Sequence, residues 1–195
     1  VIASAHDAEA VDDLHAWKGR IGMACLIAAE TSFFGVFIVA YLFYRGKSAT
    51  GPQPADVLST PLLATICLLS SSVTISLAVR ALRAGLHGAF RTWWLATIAL
   101  GASFLAATAL EWRELIFGRG LTIATNLFGT TFYALVGFHA LHVTLGLTML
   151  AFVLGAALRG RLGAEHAEHA EVLSWYWHFV DAVWVAVLAV VYLGR

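Results

Sequence analysis

Charge is scarce in this 195-residue sequence. Lys and Arg together number 12, Asp and Glu number 12, and the formal net charge is zero. A soluble domain carries about a quarter charged residues; here 12% are charged and 60% are hydrophobic. The polar surface that a water-soluble fold needs is therefore missing. The even charge balance gives no argument for a nucleic-acid partner, which calls for clustered basic residues. Cysteine is equally sparse. Cys25 and Cys67 lie in apolar segments without a CxxC or His-rich context, so they read as buried free thiols rather than a disulfide or metal ligands. No Walker loop, dinucleotide fingerprint or inverted internal repeat is present, and nothing alternates in ten-residue segments as a β-barrel would. No stretch is left over for a soluble catalytic domain.

The apolar residues gather in blocks near membrane length. A helix needs about 20 mostly apolar residues to cross ~30 Å of hydrocarbon. Five segments qualify: 21–44, 60–82 (with Pro61 near its start), 92–111, a stretch within 125–158, and 172–193. The expectation is an all-α polytopic membrane protein, a bundle of five transmembrane helices. Residues 1–17 are polar and acidic, lack the basic start and short apolar core of a signal peptide, and read as an extramembrane tail. Residues 18–195 form the transmembrane domain. The connection 45–59 holds Gly51, Pro52 and Pro54 and reads as a turn-rich loop. The connection 163–171 reads as a loop carrying solvent-facing His166 and His169.

Basic residues collect on the cytoplasmic side of multi-pass proteins. With the N-terminus inside, Lys18, Arg20, Arg80, Arg83, Arg91, Arg159 and Arg161 lie inside. Arg45, Lys47, Arg113, Arg119 and Arg195 lie outside. The excess favours a cytoplasmic N-terminus and an outer C-terminus. Trp17, Arg20, Arg80, Arg83, Arg91, Arg159, Trp175 and Trp177 are candidates to hold phospholipid headgroups at the inner ends.

Ionisable residues within spans are the chemical signal. An Asp at a helix centre costs roughly 2.5–3.5 kcal/mol on insertion scales, so each needs a partner helix, a cavity or a ligand. Glu30 lies about 14 Å into the first span at 1.5 Å per residue. Asp181 reaches a similar depth in the fifth, with His178 shallower, and His139 and His142 lie near the middle of the fourth. Each i,i+3 pair, His139 with His142 and His178 with Asp181, shares a helix face. The plain reading is a buried network of hydrogen bonds tying helices together. Other readings are proton handling or lipid binding by Glu30, haem or copper ligation by the histidines, or a non-haem metal site completed by Glu30 and Asp181. The repeated Glu-x-x-His of carboxylate-bridged bundles is absent, however. Glu111, followed by Trp112 at the end of the third span, reads as interfacial.

Several of these segments carry a family resemblance. Trp175-Tyr176-Trp177-His178-Phe179-Val180-Asp181-Ala182-Val183-Trp184 closely resembles the last helix of subunit III of haem-copper cytochrome c oxidases. Gly129-Thr130-Thr131-Phe132-Tyr133 with Gly137-Phe138-His139-Ala140-Leu141-His142-Val143 resembles the preceding helix. Ala29-Glu30-Thr31-Ser32-Phe33-Phe34 is similar to the family's helix with a membrane-buried Glu. Ala109-Leu110-Glu111-Trp112 resembles its Glu-aromatic helix end, although Thr108 stands where many members have Gln. The resemblance covers roughly residues 17–193 and implies the short five-span bacterial form, without the two N-terminal helices of longer members. It implies an accessory subunit with no cofactor of its own. Catalytic subunit I and subunit II, with their haem and copper, would be its partners, and phospholipid its bound ligand. It further implies residence in the bacterial inner membrane, and it leaves the electron donor, cytochrome c or quinol, open. The alternative from another class is a standalone transporter or proton channel using Glu30, Asp181 and His139/His142, against which the missing repeat and broken helices count.

Overall fold

In the computed structural model the described residues, which are 5–48, 51–163 and 166–194 (side chains of 5–16 and 55–56 excepted), are mostly helical and include no strand. Helix α1 runs Ala5–Tyr44, and a single turn, α2, Pro54–Val57, interrupts the loop that follows. Then come α3, Leu62–Arg83; α4, His87–Arg113; α5, Leu127–Leu158; and α6, Ala167–Val187. Helices α4 and α6 each continue as π-helix, over Glu114–Gly118 and Leu188–Leu193. Among the described residues five helices are long and apolar enough to cross a membrane, as the hydrophobic blocks predict.

The ends have local causes. Helix α3 stops where Gly85 takes a φ of +70°. There the Leu86 N–H reaches back to the Ala81 carbonyl at 2.9 Å, and the Gly85 N–H to Leu82 at 3.0 Å. Gly160 ends α5 in the same way at φ +69°, with Arg161 N–H on the Ala156 carbonyl at 3.1 Å. Such closures spend carbonyls that the last helical turn leaves free. At the other end of α5 the Asn126 side chain accepts from the Gly129 N–H at 2.8 Å, a typical N-cap.

Several boundaries differ from expectation: the first helix already begins at Ala5. The third span extends beyond 92–111 in both directions, so Glu111 lies inside a continuous helix rather than at its end. The fifth begins at Ala167, five residues early, so 163–171 is mostly helix: His169 is an exposed helical residue and His166 directly precedes the helix. Glu168 and Glu171 sit in the opening turns of α6, where the helix dipole favours acids. Arg20 reaches Glu168 at 2.7 Å, and Arg83 pairs with Glu171. Those ion pairs carry the helix past the hydrophobic boundary.

Helix α6 is the most enclosed of the spans and α1 the least. Helix α1 packs chiefly on α5 and α6, whereas α6 packs on α1, α3 and α5. At the core, Trp177 of α6 is 0% exposed and fills the space left by Gly101 of α4 and Gly146 of α5. A Cβ on either glycine would stand 2.8 Å from its ring. This is the small-residue packing that lets membrane helices approach closely. Cys25 is exposed on α1 and Cys67 half-buried, so the expectation of two buried thiols fails: α1 has few neighbours to cover its outer face.

Candidate functional site

Indole and hydroxyl hydrogen bonds set the frame. Trp177 Nε1–H donates to Ser71 Oγ at 2.8 Å, Trp184 Nε1–H to Thr65 Oγ1 at 3.1 Å, and Trp94 Nε1–H to the Leu150 carbonyl at 2.9 Å. Without water in the bilayer core, a buried N–H is stabilised by a protein acceptor. Helix α3 supplies two of these acceptors and runs antiparallel to α6, so its hydroxyls meet α6 in reverse order.

The ionisable residues resolve into separate groups. In the first, Glu30 Oε2 of α1 lies 3.1 Å from His142 Nε2 of α5. The Glu30 side chain is 27% exposed and that of His142 11%. His142 Nδ1 is 2.7 Å from the Phe138 carbonyl. A carbonyl only accepts, so Nδ1 carries a hydrogen. A single proton then lies between Nε2 and Oε2. Either a protonated Glu30 donates to neutral His142, or imidazolium donates to carboxylate. Phe34 packs edge-on to His142 with centroids 4.9 Å apart, and Tyr176 O–H donates to the His142 carbonyl at 3.1 Å.

The second group joins α3 to α6. Ser72 Oγ donates to Asp181 Oδ2 and lies 2.9 Å from His178 Nδ1. With its hydrogen given to Asp181, Ser72 accepts from His178. Ser76 Oγ lies 3.3 Å from His178 Nε2. His178 and Asp181 are thus tied through Ser72. Asp181 is 4% exposed, and its Oδ1 has no partner among the described residues.

His139 joins neither group. It is 0% exposed, with both ring nitrogens unpartnered among the described residues. It stacks on Trp184 with centroids 5.1 Å apart and meets the edge of Phe104 at 5.7 Å. His139 and His142 share the buried side of α5 but touch different neighbours. Among the described residues the five do not form one cluster: Glu30 bonds only His142. Among the described residues no three His, Cys, Asp or Glu side chains converge as a metal site would require.

Glu111 is tied to the far end of the last helix. Tyr192 O–H lies 3.3 and 3.2 Å from its two oxygens, and Trp112 packs edge-on to Tyr133 at 5.3 Å. Among the headgroup candidates, Trp177 is a correction: it is wholly buried against Gly101 and Gly146 and cannot meet a lipid. Arg20 and Arg83 are engaged with Glu168 and Glu171, and Arg91 donates to the Ala157 carbonyl at 2.9 Å. Arg159 lies 3.4 Å from the Gly155 carbonyl of its own helix. Trp17 and Arg80 are exposed and Trp175 half-buried.

Sequence reasoning missed Ser72, Ser76 and the indole acceptors Thr65 and Ser71. A signal was present. Thr65, Ser72 and Ser76 are spaced by seven and four residues, so they share one face of an apolar helix.

Residues 9–194 match the family described as Cytochrome c oxidase subunit III. The chain belongs to this family. A similar protein is the cytochrome c oxidase subunit 3 of the bacterium Alkalihalophilus pseudofirmus, 33% identical over 89% of this chain and 85% of that protein. The subunit 3 of Scyliorhinus canicula is 38% identical over 89% of this chain and 68% of its own length, and that of Formosania lacustris 36% over the same shares. Membership agrees with the resemblance read in α1, α5 and α6 and with the multi-pass helical bundle. The family is a subunit of a cytochrome c oxidase complex, which implies other oxidase subunits.

Proposed function

We propose that this chain is a non-catalytic accessory subunit of a respiratory terminal oxidase. It packs in the bacterial inner membrane against catalytic subunit I and subunit II, which hold the haem and copper, reduce O2 to water and pump protons. It supports assembly, sustained turnover and access of lipid or oxygen to that core. The observation that carries this reading is that membership extends over residues 9–194, while the intramembrane ionisable residues bond across helices. Glu30 with His142, and Asp181 and His178 with Ser72, then act as ties that hold the geometry of a docking scaffold. The exposed Trp17 and Arg80, with half-buried Trp175, hold phospholipid at the inner ends. The N-terminus is cytoplasmic and the C-terminus outside.

The test is purification through a tag on this chain in mild detergent, with a reduced-minus-oxidised visible spectrum and metal analysis. Haem and copper should co-purify with larger subunits and be lost when the chain is isolated. A pure chain without partners, passing protons when reconstituted, would overturn the reading in favour of a standalone channel. Metal retained stoichiometrically by the isolated chain would overturn it in favour of a metalloenzyme.

A further inference from the structure

Beside Glu30 and His142 a groove of about 280 Å³ opens between α1 and α5, walled by Leu26, Leu145 and Met149. Its polar groups are almost all committed. Thr148 Oγ1 donates to the Thr144 carbonyl at 2.8 Å, and Tyr176 O–H to the His142 carbonyl. Both nitrogens of His142 are engaged. One polar atom is left over: among the described residues Glu30 bonds only through Oε2, so its Oε1 has no protein partner. In either placement of the shared proton Oε1 is an acceptor. It is the carbonyl oxygen of a protonated Glu30 or the second oxygen of a carboxylate.

Depth narrows what can satisfy it. Glu30 is 13 residues from one end of the span Trp17–Tyr44 and 14 from the other, about 20 Å from either at 1.5 Å per residue. Phospholipid headgroups stay at the interfaces, and water is absent from the hydrocarbon. An anionic ligand would meet the acceptor oxygen with like charge. The complementary molecule is uncharged, apolar and equipped with one O–H donor. The groove lies just below the range that holds drug-sized ligands, which fits a single ring with a short tail.

We propose that the groove between α1 and α5 binds a small lipid-soluble phenol, whose hydroxyl donates to Oε1 of Glu30 while its ring lies against Leu26, Leu145 and Met149.

The test uses the chain with whatever it co-purifies with, in lipid nanodiscs. A diazirine-bearing alkylphenol is photo-crosslinked and the labelled peptides mapped, with 4-butylphenol and its methyl ether, 4-butylanisole, as competitors. Labelling should saturate on α1 and α5. The phenol should compete about fivefold better than the ether, one hydrogen bond being worth about 1 kcal/mol. Glu30→Gln keeps an acceptor and should keep the preference, while Glu30→Leu should abolish it. Leu145→Trp, on an exposed wall position, should block labelling while leaving the Glu30–His142 contact in place, so the test survives if Glu30→Leu fails to fold. Equal competition by phenol and ether, labelling untouched by Leu145→Trp, or no labelling of α1 and α5 because another subunit covers the groove would each overturn the proposal.

Discussion

At the residue scale, one proton between His142 and Glu30 links α1 to α5. Glu30→Gln should leave assembly and thermal stability near normal, since its amide N–H can donate to His142 Nε2 at similar reach. Glu30→Leu leaves that nitrogen without its partner and should cost about 1–3 kcal/mol, measured as lowered thermal stability of the purified protein. Glu30→Lys puts a cation near mid-membrane at roughly 2.5–3.5 kcal/mol and should abolish recovery of the complex. A normal complex from the Lys variant would end the buried-tie reading. Ser72→Ala removes the partner of both Asp181 and His178. Membrane hydrogen bonds average below 1 kcal/mol, but two are lost here, so about 1–2 kcal/mol is expected. Ser72→Thr keeps the hydroxyl and should recover most of it.

At the element scale, α6 is held from three sides, and Trp177 is the piece that fits between α4 and α5. Gly101→Ala or Gly146→Ala drives a methyl into its ring and should destabilise by about 1–3 kcal/mol. Because one ring is responsible, Trp177→Phe combined with Gly101→Ala should be less harmful than the two effects summed. A double-mutant cycle in chemical or thermal unfolding measures this coupling, and simple additivity would mean the ring is not the obstacle. Helix α1 is held differently. Arg20 pins one end to Glu168, and Arg45 Nη1 donates to the Gly194 carbonyl at 2.6 Å at the other. Arg20→Ala should cost less than about 1 kcal/mol, and less still in high salt, because the pair is half-exposed.

At the scale of the whole molecule, the outer faces of the bundle are apolar. Val36, Val39, Ile66, Val73 and Phe152 are all exposed and suit either lipid or neighbouring subunits. Accessory function and membrane orientation belong to this scale, since neither rests on a single side chain. A tag at the C-terminus should be reached by an impermeant reagent from outside intact cells, and a tag at the N-terminus only after lysis. The reverse pattern would invert the reading taken from Lys18, Arg20 and the inner arginines.

The sequence by itself determined the five spans, the all-helical class and the kinship carried by the segments around Glu30, His139 and Asp181. Hydrophobic length and residue identity are local properties, and the bilayer forces a backbone without water to satisfy itself as helix. It also identified the residues that burial would make costly. Which of them meet was decided only by tertiary structure. Equal depth suggested one cluster, but the rotation of each helix about its axis sends Glu30 to His142, Asp181 to Ser72 and His139 to Trp184. Rotation depends on packing against neighbours, on Gly101 and Gly146 admitting Trp177 and on Arg20 meeting Glu168. For the same reason Trp177, which resembles an interfacial anchor along the chain, is a core residue in space, and an ordinary serine, Ser72, becomes the link between a His and an Asp.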